Sequence, residues 1–306
     1  MNPEQVQFRL SVVIATHNSN PVITTCLGAL FQQIDPMQDE VIIADSSDDG
    51  TPGIVNASFP AVRLLHFDEP LTIPQLRGRG IEVAQGEIIA ILDPFSIVSS
   101  GWVEEVVKAH HKHPNVVIGG TVDLYNEERR GLLDWALYIN EYGMFMSPVP
   151  EGEMEILPGS NISYKRQVLF EGNTPRFSEF WKTIINRNAE TSGSPLWLAP
   201  AMHVRLWKPV PFLDFFRTRR DHGRCFAGMR SHQASRVERF LRAITTPLLP
   251  FIFLYRWGKR YWARQRRRRE FLLTLPLQFA LFGNWAIGEF AGYCFGPGRS
   301  CQKLFY

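Results

Sequence analysis

Three segments decide how this chain folds: LSVVIATHNSN (10–20), EVIIADSSDDGT (40–51) and LRGRGIEVAQGEIIAILDPFS (76–96). The first two are apolar runs rich in Val and Ile that stop at clusters of Asn, Asp, Ser and Gly. The third is a helix-like stretch leading into another apolar run, which ends at Asp93. Short β-branched runs bounded by turn formers read as strands buried on both faces. In open α/β sheets, ligands bind in the crevice beyond the carboxyl ends of the strands. The pattern therefore sets Thr16, Asn18, Asp45, Asp48, Asp49 and Asp93 at the mouth of one crevice.

Outward from these segments, apolar runs at 10–15, 40–44, 62–66, 87–92 and 116–120 alternate with helical spacing at 22–33, 74–85 and 101–111. That rhythm is the βαβ repeat of a mostly parallel sheet flanked by helices. An amphipathic stretch from Gly131 to Tyr142 precedes a Pro/Gly-rich segment, MSPVPEGEMEILPGSN (146–161), which reads as a surface connection or a binding loop. FSEFWKTIINRNAE (177–190) reads as a helix, and SPLWLAPAMHVRLW (194–207) as a strand pair closing the sheet.

At 306 residues the chain has room for one large domain or two smaller ones, and 45% hydrophobic with 21% charged residues excludes wholesale disorder. The net charge of +3 conceals an asymmetry. Acids lie mostly before Glu190, while the last third carries RTRRDHGR (217–224) and RQRRRR (264–269). Two long apolar stretches flank the second cluster: VERFLRAITTPLLPFIFLYRW (237–257) and FLLTLPLQFALFGNWAIGEFAGY (271–293). Basic runs beside apolar and aromatic segments suit an anionic membrane surface, and no stacking groove for nucleic acid accompanies them.

The second apolar stretch is long enough to cross a bilayer core of ~30 Å. It reads as a span or as a shallow hairpin at Gly283–Asn284. The first is broken by Arg242, Pro247 and Pro250 and reads as interfacial or re-entrant; the alternative is that both are core helices of a soluble domain. The division expected is 1–212 for the α/β domain and 213–306 for a basic, apolar helical tail. The four cysteines (Cys26, Cys225, Cys294, Cys301) show no C-x-x-C spacing and no disulfide framework, which suits a reduced environment. MNPEQVQFRL (1–10) lacks an apolar h-region, so no signal peptide is expected. Together these place the protein on the cytoplasmic face of a membrane.

The order ATHNS (15–19), ADSSDDGT (44–51), RGRGIEVAQGEIIAILD (77–93) and Gly101-Trp102 resembles the inverting family 2 glycosyltransferases of the GT-A fold, over residues 8–230. The resemblance implies transfer of a sugar from a nucleotide-diphosphate donor, with inversion, to a hydroxyl on a lipid-linked or cell-envelope polysaccharide acceptor. It implies that Asp45 meets the nucleobase, with Thr16 and Asn18 beside it, and that Arg77 lies over the nucleotide. Arg224, in His222-Gly223-Arg224, matches a basic motif beside the diphosphate.

The family's Asp-x-Asp pattern gives carboxylate oxygen to Mg²⁺ or Mn²⁺. Here it reads Asp93-Pro94-Phe95, so Asp93 alone remains for a metal or the ribose. Charge on the diphosphate is then met by such a metal, or by Arg77 or the RTRRDHGR segment. The family's acidic pair falls on Trp181 and Lys182, which leaves Glu179 as the nearest carboxylate for the catalytic base, with Asp123 and Glu171 as further candidates. A glycosyltransferase-like binding protein without turnover is the competing expectation.

Overall fold

The computed structural model describes residues 7–207, 210–231, 234–263 and 266–304, which fall into two compact units. The first holds the chain to Tyr125 and again Phe145–Trp207; the second holds Asn126–Met144 and the chain beyond Trp207 as far as Leu304. The sequence reading set one boundary at 212/213. The structure changes unit after Trp207 and draws in 126–144 as well.

In the first unit the apolar runs become strands. They are β1 (Phe8–Thr16), β2 (Asp39–Asp45), β3 (Arg63–His66), β4 (Gly86–Leu92), β5 (Ser96–Val98) and β6 (Val117–Leu124). Between them run α1 (Asn20–Phe31), α2 (Thr51–Ser58), α3 (Ile73–Glu82) and α4 (Trp102–Lys112). Val12, Val13, Ile14, Ile42, Ile43, Ile89 and Ile91 are fully buried, as β-branched side chains are in strands covered on both faces.

The second unit begins with α5 (Leu132–Tyr142). The chain then returns to the first unit for β7 (Gly152–Glu153), β8 (Asn161–Lys165), α6 (Arg166–Leu169), β9 (Phe170–Glu171), β10 (Thr174–Pro175), α7 (Lys182–Thr191) and β11 (Leu196–Leu206). The sheet order is β3-β2-β1-β4-β8-β6-β11-β5, with β7 also on β11. β1, β2, β3, β4, β6 and β11 all run one way, while β5, β7 and β8 run against them. This is the mixed, mostly parallel sheet of a GT-A fold.

Two local expectations are corrected. The helix expected from Phe177 begins at Lys182, because Phe180 N donates to Pro74 O and holds the preceding residues extended. The expected strand pair at 194–207 is one strand, β11, whose register shifts between Leu198 and His203 around Pro200. Proline has no N–H to give a ladder, so a shift accommodates it.

The second unit contains α5, α8 (Phe212–Ser231), α9 (Arg236–Thr245), α10 (Leu249–Ala263) and α11 (Arg268–Phe295). α11 runs unbroken through Gly283 and Asn284, so the hairpin reading fails there. By length and composition it could cross a membrane, with a mean hydropathy of 1.4 over its most apolar 18 residues. It also buries Thr274, Gln278 and Glu289. Gln278 donates to Ala136 O at 2.7 Å and accepts from Asn140 Nδ2 at 3.2 Å. Where α8 crosses α11, a Cβ on Gly288 would collide with Arg220 O, and one on Gly223 with Trp285 O. The expectation of free cysteines is overturned for one pair: Cys225 and Cys301, 76 residues apart, form a disulfide.

Candidate active site

Register builds the first part of the site. Thr16 lies opposite Asp45, and Asp45 opposite His66, so three polar residues stand in one row at the carboxyl ends of β1, β2 and β3. Asp45 is fully buried. Its Oδ1 accepts from Thr16 Oγ1 at 2.7 Å and Ser47 Oγ at 2.5 Å; its Oδ2 accepts from Ser47 N at 3.2 Å and His66 Nδ1 at 2.7 Å. Those four donors fill the acceptor sites of a carboxylate. Asp45 thus ties three loops together, and the His66 ring, with a side chain 36% exposed, is the part of this cluster that solvent reaches.

Asn18 takes a left-handed φ of 50°, which its short amide tolerates. It donates from its N to Ser47 Oγ and accepts at Oδ1 from Asp48 N, pinning the first loop to the second. Asp49 accepts from Thr51 N and Asn20 N, the turn-fixing role its position suggests.

The second part is gathered by α3. Thr72 and Gln75 form its capping box. Gly78 has no side chain where the Ser178 carbonyl approaches, and Phe180 N bonds Pro74 O, so the 178–180 segment lies along the helix. Glu179 is thereby held at both oxygens, by Gln75 Nε2 at 3.1 Å and by Trp181 Nε1 at 2.8 Å. Two residues after Gln75, Arg77 forms an ion pair with Asp93, and its Nη2 also donates to Gly159 O at 3.4 Å.

Arg77 and Asp93 have side chains only 12% exposed. The Arg77 Nε–H is buried with no acceptor, and nearby the buried Ser160 Oγ also has no partner. Arg79 by contrast is over half exposed beside Glu82, a solvated helix face. So the structure pairs Arg77 with Asp93 and sets Glu179 against Gln75 of the same helix, while Lys182 donates to Leu157 O at 2.5 Å.

An unsatisfied buried guanidinium N–H asks for an anion, and phosphate oxygens suit its fixed fork. A divalent cation is a poorer match. A protein cage for a hard cation supplies several oxygens of its own, and Asp93, the one carboxylate at this strand end, is already on Arg77. Among the described residues no group of three or more His, Cys, Asp or Glu is set to hold a metal. The residues present do not fit a resident metal site.

Arg224 lies in the second unit, where its Nε donates to Gly296 O at 3.1 Å. Sequence reasoning missed Gln75, His66 and the partners, His203 and Ser99, of its further candidate Asp123 on β6. There Ser99 Oγ bonds His203 Nδ1 at 2.6 Å, and His203 Nε2 bonds Asp123 Oδ2 at 3.1 Å. Pairing across β4, β8, β6 and β11 puts Asp123 and His203 on the same sheet face as Asp93. Side chains alternate along strands, so such pairing decides the face, and sequence alone does not show the pairing.

Residues 11–170 match the family model described as glycosyl transferase family 2. The chain belongs to that family. It is similar to glycosyltransferase GlyG of Streptococcus pneumoniae, at 29% identity over 36% of this chain and 38% of that protein. It is also similar to the glucosyl-dolichyl phosphate glucuronosyltransferase of Haloferax volcanii, at 26% identity over 54% of this chain and 55% of that one. The matched part thus spans about half of these relatives' length or less. Among solved structures, the mannosyltransferase PcManGT of Pyrobaculum calidifontis, in complex with GDP-Man and Mn²⁺, aligns with a TM-score of 0.58 at 16% identity, over 92% of this chain and 87% of that one. TarS of S. aureus aligns with a TM-score of 0.52 at 15% identity, over 93% and 91%. These likenesses establish the shared fold.

Proposed function

We propose that this glycosyltransferase takes a sugar from a nucleotide-diphosphate donor and transfers it, with inversion, to a hydroxyl of a lipid-linked or cell-envelope polysaccharide acceptor at the cytoplasmic face of a membrane. The observation that carries the donor assignment is Arg77, a buried cation with an unsatisfied N–H at the carboxyl end of the strand that ends at Asp93. On diphosphate binding the guanidinium turns from Asp93 toward the phosphates, and Asp93 is released to the ribose. Nucleobase contact falls to the Thr16, Asn18 and Asp45 loops, with His66 as the solvent-facing member. Relatives and neighbours whose names include GDP-Man, UDP-GlcNAc and dolichyl phosphate support the donor and acceptor classes.

In the transfer, Glu179 accepts the acceptor hydroxyl's proton while that oxygen bonds to the sugar C1. The C1–oxygen bond to the diphosphate breaks on the opposite side, and the nucleoside diphosphate leaves with the electron pair. Donor charge is met by Arg77, and the proposal requires no metal.

Thermal unfolding against UDP-, GDP- and dTDP-sugars, with CMP-sugars as a monophosphate control, tests this with and without Mn²⁺ or Mg²⁺. A diphosphate donor at about 100 times its dissociation constant stabilises by ~2.7 kcal/mol. The expected shift is independent of metal. A shift only with metal overturns Arg77 as the clamp, and no shift with any donor favours a binding or scaffold role without turnover.

A further inference from the structure

We propose that the second unit docks on an anionic lipid bilayer through α9 and α10 laid flat in the interface, with α11 serving as a core helix and not as a span. The inference rests on the membrane reading above and specifies its surface. α9 is amphipathic in the opposite sense to a core helix. Val237, Phe240, Leu241 and Ile244 recur at helical spacing and are 52–68% exposed. The inward side carries the small, buried Ala243 and Arg239, whose Nε and Nη2 donate to Tyr293 O at 3.2 and 2.9 Å.

α10 repeats the arrangement. Phe251, Ile252, Tyr255 and Trp262 are exposed, while Phe253 and Trp257 pack on Phe282 with ring centroids 5.2 and 5.7 Å apart. An apolar stripe on two consecutive helices is an interaction surface.

Charge selects the occupant. From Arg236 to Ala263 there are six Lys or Arg and one acid, Glu238. An anionic headgroup layer satisfies that imbalance, whereas a second copy would set cation against cation. Long basic side chains rise to the headgroups while Tyr255 and Trp262 sit at the interface. α11 is held otherwise. Its Gln278 is committed to α5, and the buried Glu289 accepts from Trp285 Nε1 at 2.7 Å and pairs with Arg230 of α8 at 2.9 Å. Lipid on all sides would strip those partners from the helix.

The test is flotation of the full chain with vesicles of phosphatidylcholine, alone or mixed with phosphatidylglycerol. Binding is expected to the anionic vesicles, to weaken with salt, and to be reversed by alkaline carbonate. Phe240→Glu with Ile244→Glu is expected to lower it by at least about tenfold. The donor-induced melting shift serves as the folding control. Resistance to carbonate overturns the proposal in favour of a span. A dimer that the double substitution dissociates, with no vesicle binding, overturns it in favour of a second copy. A native chain that leaves anionic vesicles unbound while the donor shift is intact sinks the docking surface alone; vesicle binding by the native chain without any donor shift sinks the donor reading alone.

Discussion

At the scale of single residues, the site rests on groups whose partners are already in place, and each makes a measurable prediction. Arg77→Met removes the guanidinium paired with Asp93, so the donor-induced melting shift is expected to vanish; Arg77→Lys keeps the charge without the fork and retains part of the shift. Glu179→Gln keeps the contacts with Gln75 and Trp181 in shape but not basicity. Its turnover is expected to fall by about 10²–10⁴ with KM little changed, measured by initial rates, and Asp123→Asn is expected to cost less. His110 carries a pH signature. It is fully buried with Nε2 2.9 Å from Ser163 Oγ, and burial pulls its pKa from 6.5 down to about 3. The native state therefore holds it neutral, while the unfolded chain takes up a proton below about 6.5. The stability this contributes is complete above that pH and is lost as pH falls toward 3, at up to ~1.4 kcal/mol per pH unit. Urea unfolding from pH 7 to 4 is expected to show a shallower pH dependence in His110→Gln than in the native chain. The sequence around His110 does not show this, because its burial depends on β8, which is distant in sequence.

At the scale of elements, what was legible is what local pattern controls. β1, β2 and β4 were readable because each is a run of Val and Ile ended by turn-forming residues, and that is enough to fix a buried strand and the loop after it. The loop residues Thr16, Asp45 and Asp93 were readable for the same reason. The partners of Asp45 were not. His66 reaches it only through the pairing of β2 with β3, and nothing in the sequence of either strand reports the other. The register shift in β11 and the late start of α7 were hidden likewise, since both answer to neighbouring chain. Close helix approach is a similar long-range property, and it yields a paired prediction on α11. Gly288→Val would drive a side chain into the backbone of α8, with a destabilisation of at least about 2 kcal/mol in urea unfolding. Gly283→Ala meets nothing within 4 Å and is expected to stabilise by ~0.5–1 kcal/mol.

At the scale of the whole molecule, the basic and apolar composition from 213 onward marked a second part in the sequence, but neither the change of unit after Trp207 nor the place of 126–144 within it. An amphipathic helix shows which face it buries without showing against what. The disulfide was equally silent: Cys225 and Cys301 are joined across 76 residues, with no spacing motif to mark them. Closing so long a loop constrains the unfolded chain, and chain-entropy reasoning puts its contribution at about 2–4.5 kcal/mol. Both cysteines lie within the second unit, so the effect is expected to stay there. In hydrogen exchange, Cys225→Ser with Cys301→Ser should lower protection of α8 and α11 while leaving β1 and β4 unchanged. Dithiothreitol should produce the same change in the native chain and none in the double variant. The proposed cytoplasmic placement puts the enzyme where thiols are kept reduced, and so requires the dithiol to be a working form. The donor-induced melting shift must then survive reduction. If dithiothreitol abolishes it, donor binding depends on the oxidised pair, and the cytoplasmic placement falls with it.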